Sequence, residues 1–100
     1  MNFTTITQKE YAENLEKLLS YALNNNSYRS FVRSVAAAEI FLSLLFGRWE
    51  FNLFNLLLLK KEQIEVAMKC IRGRKKFIIY PKSVVNDANL RIKKLITEYT

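Results

Sequence analysis

Between Phe46 and Pro81 the hydrophobic period changes twice, and that change bounds what the chain can fold into. Before Gly47 the apolar residues recur at helical spacing. Trp49, Phe51 and Leu53 then alternate with Glu50, Asn52 and, past Phe54, Asn55. A period of two is that of a half-buried strand. Leu56–Leu59 is a continuous apolar run that fits a strand end or a helix start. Lys60-Lys61-Glu62 opens a helix whose Ile64, Ala67, Met68 and Ile71 share one face, and Arg72-Gly73-Arg74 reads as its end. Phe77-Ile78-Ile79-Tyr80 is aromatic and β-branched, bounded by cations and by the only proline, Pro81, which predicts a second strand. The expected fold class is α+β.

The first half is helical. Thr7 and Glu10 have the spacing of a capping box, in which each side chain reaches the other's backbone N–H. Tyr11, Leu15, Leu18, Leu19 and Ala22 follow on one face. Asn24-Asn25-Asn26 ends this helix, because asparagine tolerates the left-handed conformation. Ser27 is placed to cap a second helix, almost wholly apolar from Val35 to Phe46 and closed by Gly47. Such a helix is expected to be buried on most sides, with Ala36, Ala37 and Ala38 admitting a close neighbour. The organisation expected is an αα-hairpin over residues 1–47 and a basic strand–helix–strand segment over 48–100. Within the tail, residues 89–99 fit either a helix, capped by Asp87 or Asn89, or a strand.

One hundred residues with half of them hydrophobic suffice for one core, though a chain this short is only marginally stable alone. Histidine is absent, which removes the commonest general base and metal ligand. Cys70, the only cysteine, makes no internal disulfide and no thiolate zinc site, and is expected to be a small buried hydrophobe. Glu39, an acid within an apolar helix, is expected to pair with a neighbour or to lie at the surface. Gly47 and Gly73 are the only glycines, so no glycine-rich phosphate loop exists. No enzyme, metal or cofactor is expected. No secretory signal is visible in the first residues, and the apolar run at Val35–Phe46 is shorter than the roughly 20 residues a membrane span needs.

Charge is the stronger signal. Residues 1–50 carry five cations and five acids, whereas residues 51–100 carry eleven cations and four acids. The whole net charge of +7 therefore sits in the second half. Arg72, Arg74, Lys75 and Lys76 crowd one helix end. Lys60, Lys61 and Lys69 precede them, and Lys82, Arg91, Lys93 and Lys94 follow. Cations held on rigid elements contact successive phosphates, and these eleven are the candidate polyanion-binding residues. Charge alone carries the reading no further, because no helix-turn-helix, zinc-finger or RNA-recognition aromatic motif accompanies it.

The order of residues adds a resemblance. Phe46, Gly47, Trp49, Phe51, Leu59, Gln63, Ile64, Glu65 and Ala67 fall at the places of the central segment of the bacterial-type large-subunit ribosomal protein sixteen family. Arg72–Lys76, the apolar Phe77–Tyr80 and Pro81 are similar to that family's basic helix end, strand and proline, and Leu90, Ile92 and Lys93 match its next stretch approximately. The resemblance covers about the second half of the chain. It departs in the leucines at 56–58, in a shorter helix-to-strand connection and in the absence of the family's Gly- and Lys-rich loop that approaches tRNA. What it implies is a truncated α/β sandwich in which the eleven cations bind large-subunit rRNA, with neighbouring ribosomal proteins as partners. A companion chain would complete the truncated sheet. Sequence rich in Asn, Ile and Lys, low in Gly and extended by a helical hairpin implies a mitochondrial large ribosomal subunit. The alternative is a small, wholly helical nucleic-acid-binding regulator or adapter subunit of a larger assembly, in which Trp49–Leu59 is helical.

Overall fold

A computed structural model describes residues 6–23, 28–46 and 53–99. Among them the chain is all-helical: α1 (Gln8–Leu23), α2 (Tyr28–Leu45), α3 (Leu53–Leu57), α4 (Lys61–Phe77), a 3-10 turn (Pro81–Ser83) and α5 (Ala88–Tyr99). There is no strand among the described residues, which overturns the expected α+β class.

Helix α1 starts as its capping box predicts. The Glu10 N–H donates to Thr7 Oγ1 at 3.1 Å, and the Thr7 N–H donates to Glu10 Oε1 at 3.4 Å. Its expected face, Tyr11, Leu15, Leu18, Leu19 and Ala22, is wholly buried. This helix lies against both α2 and α4 and is the centre of the core. From α2 come Ala36, Ala37, Ala38, Ile40, Phe41 and Leu44, so that helix is buried along much of its surface, as its composition requires. Glu39 stays at the surface, where it accepts a hydrogen bond from Asn55 Nδ2. Leu59, Val66, Ala67, Cys70, Val85, Ile92 and Leu95 complete one continuous cluster. Among the described residues no buried side-chain nitrogen or oxygen lacks a partner.

The corrections fall on the second half. The Asn-rich turn, the Ser27 cap, Gly47 and the strand positions Trp49–Asn52 lie outside the described residues. The rest of that strand, Leu53–Asn55, is the start of α3. A strand needs a partner for its backbone groups, and a two-stranded pair is marginal in water. The second predicted strand is no partner either. Phe77 closes α4, and Ile78 is the left-handed residue beyond it (φ 53°, ψ 35°), its N–H donating to Arg74 O at 3.2 Å. Tyr80 is extended (φ −67°, ψ 138°) because the residue before a proline is driven out of the helical region. The β-like side chains at 77–80 therefore form a helix exit rather than a strand. No sheet edge exists among the described residues for a companion chain to complete.

Helix α4 also runs through Gly73, where the sequence suggests an end. The glycine serves packing there. A Cβ on Gly73 would stand 2.6 Å from Tyr11 Cγ and 2.9 Å from Tyr11 Cβ, so its absence lets α1 approach α4. The inward stripe of α4 is consequently Val66, Ala67, Cys70, Gly73 and Arg74. Ile64, Met68 and Ile71 from the expected face are half-buried at its margin. Residues 88–99 resolve as helix, with Ile92 and Leu95 inward.

Candidate nucleic-acid interface

The eleven predicted cations separate into two groups. Lys60, Lys61, Lys69, Lys75, Lys82, Lys93 and Lys94 are exposed, and Arg72 is half-buried. Arg74, Lys76 and Arg91 are engaged with the protein's own groups.

Arg74 is the clearest departure from the expected set. It is 6% exposed, on the same inward stripe as Ala67 and Cys70. Its Nε donates to Leu44 O at 3.1 Å, in the last turn of α2. The final carbonyls of a helix have no partner within it and carry the negative end of its dipole, so a buried guanidinium suits them. The Arg74 guanidinium also lies 4.4 Å from the centroid of the Tyr80 ring. This residue ties α2, α4 and the helix exit together. A signal for that role was present in the sequence, since Arg74 follows Cys70 by four positions and Ala67 by seven, on one helical face.

Arg91 belongs to a second internal network. Its Nη1 pairs with Glu16 Oε2 and donates to Asn86 O at 3.1 Å. The Asn86 N–H donates to the other Glu16 oxygen. One carboxylate on α1 thus holds both α5 and the turn before it. Partial burial works against ionisation of Glu16, but the bonds from Arg91 and Asn86 outweigh it and hold the carboxyl below the usual carboxylate range. Lys76 Nζ donates to Ile6 O at 3.1 Å and lies 5.2 Å from the Phe77 ring centroid.

What remains outward is basic chiefly from Lys69 to Lys82 and at Lys93 and Lys94, with Asp87 exposed between them. The outer face of the first half of α4 mixes Lys61 with Glu62 and Glu65, whereas from Lys69 onward it carries only cations. The stretch from Val66 to Asn86 holds six cations and no acid. Some of this charge also complements the C-terminal end of the α4 dipole, worth about 0.3–1 kcal/mol per cation. That local benefit does not account for Lys82 on the 3-10 turn or for Lys93 and Lys94 on α5.

Two buried groups are chemically quiet. Burial pushes the Cys70 thiol well above its ordinary range, so it is a packed apolar group, as its position in the sequence suggests. Burial also raises the Tyr11 phenol, against the opposing influence of Arg74, and its hydroxyl donates to Ile79 O at 2.7 Å. Among the described residues, no group of three or more His, Cys, Asp or Glu is placed to hold a metal ion. No described helix is long and apolar enough to cross a membrane. No family model, curated protein or solved structure matches this chain.

Proposed function

We propose that this protein is a small all-helical nucleic-acid-binding module, acting as a regulator or an adapter within a larger assembly. The observation that carries the reading is the exposed Lys69, Lys75 and Lys82 within the acid-free stretch from Val66 to Asn86, with Lys93 and Lys94 beyond Asp87, all on a helical frame. Exposed ammonium groups on fixed elements neutralise phosphates and release their counterions without reading sequence. Binding is therefore expected to be steeply salt-dependent and only weakly selective.

A second reading names the polyanion. Gln63, Ile64, Glu65 and Ala67, which favour large-subunit rRNA by their resemblance to the ribosomal family, lie on α4, where that family carries a helix. On this reading the protein is a structural component of a mitochondrial large ribosomal subunit. The absence of a strand at 78–80 separates the chain from the family's core, so we place this reading second.

Fluorescence anisotropy against labelled DNA and RNA tests the first reading. For roughly four to six phosphate contacts, log Kd should change with log salt with a slope of about 3 to 5. The combined change Lys75→Glu, Lys82→Glu and Lys94→Glu should lower affinity by tenfold or more and flatten the slope. Unchanged affinity in that variant, with its fold intact, removes the interface. Co-sedimentation with the large ribosomal subunit through moderate salt would select the second reading, and a free protein in the same extract would eliminate it.

A further inference from the structure

A groove of about 470 Å³ lies where the end of α2, the α4 exit and α5 meet. Leu45, Ile92 and Ile96 give it an apolar wall. Phe46 and Tyr80 both line it, and they remain 58% and 55% exposed. Lys82 and Lys93 line the same groove and are exposed, and none of its lining residues is acidic. Two solvent-facing aromatic rings in one depression are costly to leave uncovered, and their company of lysines distinguishes this patch from an ordinary apolar contact.

Tyr80 is held in place. The Arg74 guanidinium lies over its ring at 4.4 Å and is itself anchored to the end of α2. The Tyr80 backbone is constrained by Pro81 and by the hydrogen bond from the Ser83 N–H to Tyr80 O at 2.9 Å. A ring fixed by its neighbours loses little freedom on contacting a ligand. Asn89, also on the groove, offers both a donor and an acceptor at one edge.

We infer that this groove receives an unpaired base of a single-stranded nucleic acid. Phe46 and Tyr80 contact the base, and Lys82 and Lys93 contact the flanking phosphates. The inference rests on the nucleic-acid reading above and narrows it to single strands. An unpaired base exposes its faces to aromatic side chains, whereas a duplex keeps them stacked inside. The volume suits a ligand of this size, since small-ligand pockets run from about 300 to 1,000 Å³. The lysines set the sign of the ligand's charge and the rings set its chemistry.

Phe46→Ala and Phe46→Trp test this with four probes: a short single-stranded oligonucleotide, its duplex, heparin as a base-free polyanion, and decanoate as an anionic amphiphile. Phe46 is exposed, so neither change should disturb the core, and a thermal melt verifies this. Phe46→Ala should weaken single-strand binding about tenfold, within the range expected for one stacked base, and leave duplex and heparin binding unchanged. Phe46→Trp should restore the single-strand affinity. Lys93→Glu should weaken all three polyanions. Equal loss across the three polyanions in Phe46→Ala, or no loss in any, overturns the base pocket while leaving the polyanion reading intact. Saturable decanoate binding that Phe46→Ala abolishes and that the oligonucleotide does not compete assigns the groove to an amphiphile and overturns the inference. If wild-type protein binds none of the polyanions, both readings fall together.

Discussion

Replacing Gly73 with alanine puts a methyl group where the Tyr11 side chain already lies. The new Cβ would be 2.6 Å from Tyr11 Cγ and 2.9 Å from Tyr11 Cβ, closer than such atoms approach in folded proteins. Tyr11 has little room to give. It is fully buried, its hydroxyl is bonded to Ile79 O at 2.7 Å, and its ring centroid stands 6.0 Å from that of Phe77. Its Cβ moves only with the backbone, so relief requires α1 to shift away from α4. Overpacking of this kind costs about 1–3 kcal/mol, and a weakened buried hydrogen bond adds roughly 1 kcal/mol. Alanine is the better helix former by about 1 kcal/mol, which opposes both. The net expectation is a destabilisation of about 2 kcal/mol, or a fall in Tm of roughly 10 °C for a domain of this size. Thermal and urea unfolding followed by circular dichroism measure it. Tyr11→Ala supplies the second arm. In that background the ring atoms are gone and only the Cβ contact at 2.9 Å remains, so Gly73→Ala should cost clearly less than in the parent, giving a coupling of at least about 1 kcal/mol. A single Gly73→Ala variant as stable as the parent, or more stable, would refute the close-approach argument. It would show that the glycine is an ordinary weak point in a helix.

Three further changes bear on separate parts of the frame. Ile78 adopts a left-handed conformation that costs a β-branched residue about 1–2 kcal/mol, and its side chain is 75% exposed. Ile78→Gly should therefore raise stability by about 0.5–1 kcal/mol after the glycine's own entropy cost, read from the shift in urea midpoint. Arg74→Met keeps most of the volume but leaves Leu44 O without its charged donor. It should destabilise by about 1.5–3 kcal/mol in chemical denaturation, while duplex and heparin affinity per folded molecule, which do not use the Tyr80 ring, stay within about twofold. The Glu16 carboxyl is depressed in the folded state, so its contribution to stability is fully present above the unfolded carboxylate pKa near 4.3. That contribution is lost as pH falls through the lower folded value. Urea midpoints measured across acid pH should show this loss in the parent chain and a smaller one in Glu16→Gln.

The placement of the predicted cations is half legible in the sequence. The sign and rough location of the charge follow from the cations of the second half, because charge composition needs no tertiary information. Which cations face solvent does not follow from proximity in sequence. Arg74 and Lys75 are adjacent, yet one is buried against α2 and the other is exposed, because successive helical residues point about 100° apart. Arg91 was equally unreadable, since its partner Glu16 is distant in sequence. In the sequence Phe46 reads as the end of an apolar helix and Tyr80 as part of an apparent strand. Their exposure in a common groove depends on α2, the α4 exit and α5 meeting.

The sequence by itself determined the elements that rest on local interactions. The Thr7–Glu10 capping box starts α1, and five apolar residues at helical spacing define its buried face. The apolar density after Val35 buries α2, and the lone cysteine packs as a hydrophobe. Only the tertiary structure decided the second half. Leu53–Asn55 and Phe77–Tyr80 carry β-like residues, but a strand exists only if another strand accepts its backbone hydrogen bonds. No such partner forms among the described residues, so Leu53–Asn55 and Phe77 close helical hydrogen bonds within α3 and α4, and Ile78–Tyr80 form the exit from α4. Gly73 shows the same division of information. Read locally, a glycine between two arginines is a helix end; packed against Tyr11, it lies inside α4 and sets how closely that helix meets α1.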